Sequence, residues 1–127
     1  MKNKIPLKLN AAIDGYFGPS SRIEWDGDNL YYLFNPSAHA GEPGTEKILV
    51  KVKESDWEKF HDSLYKIGVW NWEERYENPE ILDGTSWGFE AVYSDKSVKS
   101  SGSNSFPKRF NSLLEAISKL TNGLSFN

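Results

Sequence analysis

Acid–base and metal chemistry draw on histidine, cysteine and clustered carboxylates, so His39 and His61 come first in a chain without cysteine. His61 follows Phe60 in an apolar stripe, where a boundary histidine with a satisfied ring is the ordinary outcome; His39 falls in a loop rich in Pro and Gly. Neither belongs to an HxH, HxxxH or HExxH pattern, so no metal ligand set is expected. The absence of cysteine removes disulfides, thiolate metal sites and cysteine nucleophiles together. Asp26-Gly27-Asp28-Asn29 has the start of a calcium loop but not its terminal bidentate Glu, and reads as a turn. The serines have no His and acid placed beside them, and a serine without those partners is only a polar side chain.

Anion binding has one candidate. Ser100-Ser101-Gly102-Ser103-Asn104-Ser105-Phe106 runs into Pro107-Lys108-Arg109 at an expected helix start, where free N–H groups and two cations could hold a phosphate or carboxylate. Its ligands would be Ser103, Asn104, Ser105, Lys108 and Arg109. Against it, no GxxxxGK[ST] is present, and Ser or Asn ahead of a helix is an ordinary cap.

The distinctive composition is aromatic and acidic. Five Trp, six Tyr and seven Phe make 14% of the chain, more than its core requires, and Trp70-Asn71-Trp72 and Tyr31-Tyr32 fall outside the helical stripes. From Glu54 to Asp83 nine acids face three bases, a net charge of -6 within a total of -3. Trp70, Trp72, Glu73, Glu74, Tyr76 and Glu77 thus combine interface-anchoring rings with a field that would draw in a basic partner. The competing reading packs both indoles under the loop and leaves the acids, with Glu80, as a solvated face.

The elements that must position these residues follow from period and punctuation. At 127 residues and 14.5 kDa the chain reads as one domain, since a second core would leave each half near the limit of independent stability. With 38% hydrophobic and 26% charged residues it belongs with folded rather than disordered chains, and the net charge supplies no basic field for nucleic acid. No apolar run matches a secretory or membrane-spanning segment, so a soluble, untargeted, cytoplasmic chain without a membrane partner is expected. Residues 1–12 read as a flexible N-terminal segment. Ile23 and Trp25, then Leu30 to Phe34, alternate about the Asp-Gly turn and predict a hairpin. Residues 35–45 read as the longest loop, and Lys47 to Lys53 as a half-exposed strand whose lysines would protect a sheet border.

Ser55 and Glu58 predict a capping box for a helix that buries Trp57, Phe60, His61, Leu64 and Ile67 and stops at Gly68. Thr85 to Tyr93 predicts a strand with Trp87, Phe89, Ala91 and Tyr93 on one face, followed by a short strand near Ser97 to Ser101. A last helix spans about Phe106 to Asn122, with Pro107 in its first turn. The order β-β-β-α-β-β-α predicts an α+β fold, with an antiparallel sheet of about five strands and both helices on one face.

Trp70-Asn71-Trp72, Tyr76, Asp83-Gly84-Thr85-Ser86-Trp87, Gly102-Ser103-Asn104-Ser105-Phe106-Pro107 and Phe110 form a pattern, W-x-W, Y, DGxxW and GxNx[YF]P, across roughly residues 57 to 122. It resembles a family of small, largely uncharacterised bacterial proteins, stand-alone cytoplasmic chains and some lipoprotein domains, and the resemblance implies a fold but no catalytic residue set. The resulting expectation is a non-catalytic bacterial protein-binding module without cofactor, an immunity or inhibitor protein that covers a toxin or effector through the Trp70 to Glu80 region. The alternative is a small-anion or metabolite-binding domain using Ser101 to Arg109. A hydrolase working from His39 or His61 ranks third.

Overall fold

Asp26 starts the first legible turn: its Oδ1 accepts the amides of Asp28 (2.8 Å) and Asn29 (2.9 Å), and Gly27 takes φ 103°. Those amides hold the Asp26 carboxyl below the usual carboxylate range. The turn joins β2 (Ser20–Trp25) to β3 (Leu30–Asn35) in the expected hairpin, with Ile23 opposite Tyr32 and Trp25 opposite Leu30. The computed structural model describes residues 4–15, 18–80 and 84–127, and Asp83 of the DGxxW motif lies outside them.

Among the described residues, seven strands form one mixed sheet in the order β4-β3-β2-β1-β6-β7-β5. These comprise β1 (Lys8–Gly15), β4 (Glu46–Val50), β5 (Arg75–Glu77), β6 (Thr85–Val92) and β7 (Ser97–Ser103) beside the hairpin, with helices α1 (Glu54–Ile67) and α2 (Phe110–Leu120). The class is α+β, as the element order implies, with two strands beyond the five expected. Residues 8–12, expected to be flexible, form the first half of β1, which is central and paired with β2 on one side and β6 on the other. Leu9, Ala11 and Ile13 alternate into the core, but Ala11 and Ala12 are too small to announce a strand. β5 is a three-residue strand that pairs parallel to β7, too short to show any period.

The core lies on one face of the sheet, where Leu9, Ile23, Leu30, Trp87 and Phe89 meet Trp57, Phe60 and Leu64 of α1 and Leu113 and Ile117 of α2. The other face carries Asn10, Ala12, Arg22, Glu24, Gly88 and Lys99, in cross-strand register. Tyr32 is buried, its hydroxyl donating to the Ser125 carbonyl at 2.5 Å, while Tyr31 lies on the outer face beneath the Lys47 ammonium. β4 is a sheet border, as the lysines suggested, although it ends at Val50 and leaves Ile48 and Leu49 exposed.

The cap of α1 lies two residues earlier than expected, at Lys53 instead of Ser55. Lys53 is the N-cap, its amide donating to Asp56 Oδ2 at 3.1 Å, so Asp56 occupies the position assigned to Glu58. The stop is as expected: Gly68 takes φ 83° and its amide donates to the Leu64 carbonyl. α2 is shorter than its pattern, because Arg109 adopts φ 64° and separates Pro107 and Lys108 from the helix. The long 35–45 loop is organised by Asn35, which is 1% exposed. Its Oδ1 accepts the Ser37 and Ala38 amides, and its Nδ2 donates to Thr45 Oγ1 and the Pro43 carbonyl.

Candidate protein-binding surface

The acidic segment follows α1 through a single 3-10 turn, Val69–Asn71, opened by the left-handed Gly68. It then runs along β7 as the border strand β5. Its backbone is tied inward: the Ser100 hydroxyl donates to the Glu73 carbonyl (2.6 Å) and the Ser101 amide to the Glu74 carbonyl (3.0 Å). Glu73, Glu74 and Glu77 are exposed, and Glu77 has Arg75 at 3.5 Å.

The aromatic members of the expected site divide. Tyr76 is half-buried against Trp87, and its hydroxyl accepts the Glu73 amide at 2.9 Å, so it staples the segment. Trp72 is half-buried, its ring meeting Trp87 at 6.0 Å, Phe89 at 6.3 Å and Phe110 at 6.4 Å, which makes it an edge of the core. Trp70 is half-buried on the other side, tilted against Tyr65 (5.8 Å) and edge-on to Tyr93 (5.7 Å). Tyr65 is 47% exposed, and the Lys96 ammonium lies 4.6 Å from its ring centre and 5.3 Å from that of Trp70.

Neither Tyr65 nor Lys96 was singled out from the sequence. The available signal was a bulky aromatic on α1 outside the Trp57, Phe60, Leu64 and Ile67 stripe.

His61 packs against Tyr65 and Tyr93, each at 5.1 Å. Its ring is not satisfied as expected: Nδ1 is buried without a hydrogen bond, 3.7 Å from Asp62 Oδ1. Trp70 Nε1 and the Tyr93 hydroxyl are likewise buried without partners, and burial pushes the Tyr93 phenol up. The cluster is therefore held by ring packing. Trp70→Phe removes an N–H that makes no hydrogen bond, so it should change unfolding free energy by less than about 1 kcal/mol by urea titration. A larger loss would mean that the packing of the wider indole on Tyr65 and Tyr93, or a bond from its nitrogen, carries more of the cluster.

Three members of the anion candidate are engaged within the chain. Asn104 accepts the Thr85 amide (2.8 Å), the Ser105 carbonyl accepts the Trp87 indole N–H (2.9 Å), and Arg109 donates to the Lys66 carbonyl at the end of α1 (2.6 Å). Ser103 closes β7 opposite Ser86, and Lys108 is exposed. Asn104, Ser105 and Arg109 thus staple neighbouring segments together.

Gly84-Thr85-Ser86-Trp87-Gly88 has the letters of a nucleophile elbow, GxSxG, but Ser86 lies inside β6, not on a strand-to-helix turn. It pairs with Asp14 of β1, whose Oδ1 is 3.6 Å from His39 Nδ1. An acid and an imidazole are thus neighbours, yet no serine hydroxyl hydrogen-bonds to that imidazole among the described residues, which is the contact a nucleophile needs.

Among the described residues no group of three or more His, Cys, Asp or Glu is placed to share a metal, and no helix is long and apolar enough to cross a membrane. Two open depressions of about 450 and 340 Å³ lie on the helix-free face around Asn10 and Glu24, the smaller reaching Ser100 and Ser101 of β7. Comparison with models of known protein families and with curated proteins finds no match.

Proposed function

We propose that this protein is a non-catalytic protein-binding module that docks a basic partner on the border formed by Glu73, Glu74 and Glu77 with the adjoining Trp70. In its most specific form this is an immunity or inhibitor role, in which the acidic border covers a toxin or effector. The observation that carries the reading is the combination of exposed carboxylates and a backbone already bonded to β7. A pre-ordered segment loses little freedom on binding, and its field accelerates encounter with positive charge. Trp70 rather than Trp72 is the aromatic available to such a partner, because Trp72 is engaged with three core rings.

The test is kinetic. A partner is captured from the native host, and association is measured for the triple variant Glu73→Lys, Glu74→Lys, Glu77→Lys at low and moderate salt. The association rate should fall at least about tenfold at low salt, with much of the wild-type salt dependence lost. Trp70→Ala should act mainly on dissociation. Unchanged rates for both variants would remove this border from the interface.

A further inference from the structure

The aromatic surface beside the acidic border holds a cation already, and that cation belongs to the chain itself. Lys96, in the turn between β6 and β7, places its ammonium over Tyr65 of α1 and Trp70 of the 3-10 turn, at 4.6 and 5.3 Å from the ring centres. Tyr93 backs Trp70 edge-on, and His61 lies tilted against Tyr65 and edge-on to Tyr93. Hydrogen bonding to the Tyr65 hydroxyl raises the affinity of Lys96 for its proton, so the occupant is charged. Two electron-rich faces around one ammonium are what a foreign guanidinium or ammonium would require. The rings are not tied down by hydrogen bonds from Trp70 Nε1, Tyr93 or His61 Nδ1, and Tyr65 is open to solvent.

We propose that Tyr65 and Trp70 form a cation-recognition site for an arginine side chain of the basic partner, and that Lys96 is an internal plug which that arginine displaces. This rests on the reading of the acidic border and names the partner group taken up beside it. Arginine is favoured over lysine because its planar, weakly hydrated guanidinium stacks on aromatic faces.

The probe is a hexa-arginine peptide, titrated at low ionic strength against the full chain and followed through the Trp70 indole N–H resonance. Lys96→Ala should bind it about fivefold more tightly than Lys66→Ala, which removes the same charge from exposed helix surface nearby. Adding Tyr65→Leu to Lys96→Ala should cancel that gain, while amide spectra confirm that the exposed substitution leaves the fold intact. Hexa-lysine should show a smaller difference between the two alanine variants. Equal affinities for Lys96→Ala and Lys66→Ala, or a gain that survives Tyr65→Leu, would overturn the cation site. The charge-reversed border variant separates the two proposals: if it abolishes peptide binding while the Lys96 and Tyr65 effects are absent, the acidic border stands and the cation site falls.

Discussion

Trp87→Ala should lower stability by about 3–5 kcal/mol, a large share of the roughly 5–15 kcal/mol available to a domain of this kind. Trp87 is 4% exposed, and its ring touches Phe110 at 4.8 Å, Trp72 at 6.0 Å and Tyr76 at 6.0 Å. It thereby joins α2, the end of the 3-10 turn and β5. Its indole N–H also donates to the Ser105 carbonyl at 2.9 Å, fixing the chain that leads into α2. Truncation opens a cavity where those rings meet and removes the donor at the same time. Trp87→Phe keeps most of the ring and should cost about 1–2 kcal/mol, largely through the carbonyl left without its donor. Guanidinium titration with an unchanged m-value measures both. A loss for Trp87→Ala below about 1 kcal/mol would show that the ring junction is not the centre of this half of the fold.

Gly102→Ala should be nearly as damaging, by about 3 kcal/mol, although it adds only one methyl group. A Cβ at residue 102 would lie 2.3 Å from Trp87 Nε1 and 2.7 Å from the Ser105 carbonyl oxygen, the two ends of the hydrogen bond just described. The indole is pinned by that bond and by its ring neighbours, and the carbonyl is backbone, so neither can yield cheaply. Gly88 on β6 is the control, since a Cβ there meets nothing within 4 Å. Gly88→Ala should leave the melting temperature within a few degrees or raise it slightly, whereas Gly102→Ala should lower it by on the order of 10 °C. Equal melting temperatures for the two variants would contradict the close approach at Gly102.

What the sequence made legible was local. The Asp26 turn, the Gly68 stop and the burial of Trp87, Phe89, Ala91 and Tyr93 each depend on residues within a few positions of one another. What escaped was decided at a distance. β1 becomes a strand because β2 and β6 flank it, and its small Ala11 and Ala12 carry little signal alone. β5 exists because β7 offers an edge, and three residues cannot show a period. Arg109 delays the start of α2 to Phe110 by taking a left-handed conformation that no glycine announced. The candidate surface divides in the same way: charge and exposure at Glu73, Glu74 and Glu77 follow from composition, whereas Trp72 is covered by Phe110 from a helix far along the chain. Tyr65 and Lys96 meet only because the β6–β7 turn is carried over to the end of α1.

The central position of β1 bears on the order in which the protein can assemble. Ala11 pairs with Ile23 nearby but also with Phe89, in the last third of the chain. During synthesis, β1, β2 and β3 can emerge from the ribosome as a three-stranded meander long before β6 exists, leaving one side of β1 with open amides and carbonyls. Such a nascent intermediate is a template for wrong pairing, and topologies rich in distant contacts close slowly. Translation that halts before β6 should therefore yield an aggregation-prone fragment, whereas the finished chain seals that edge.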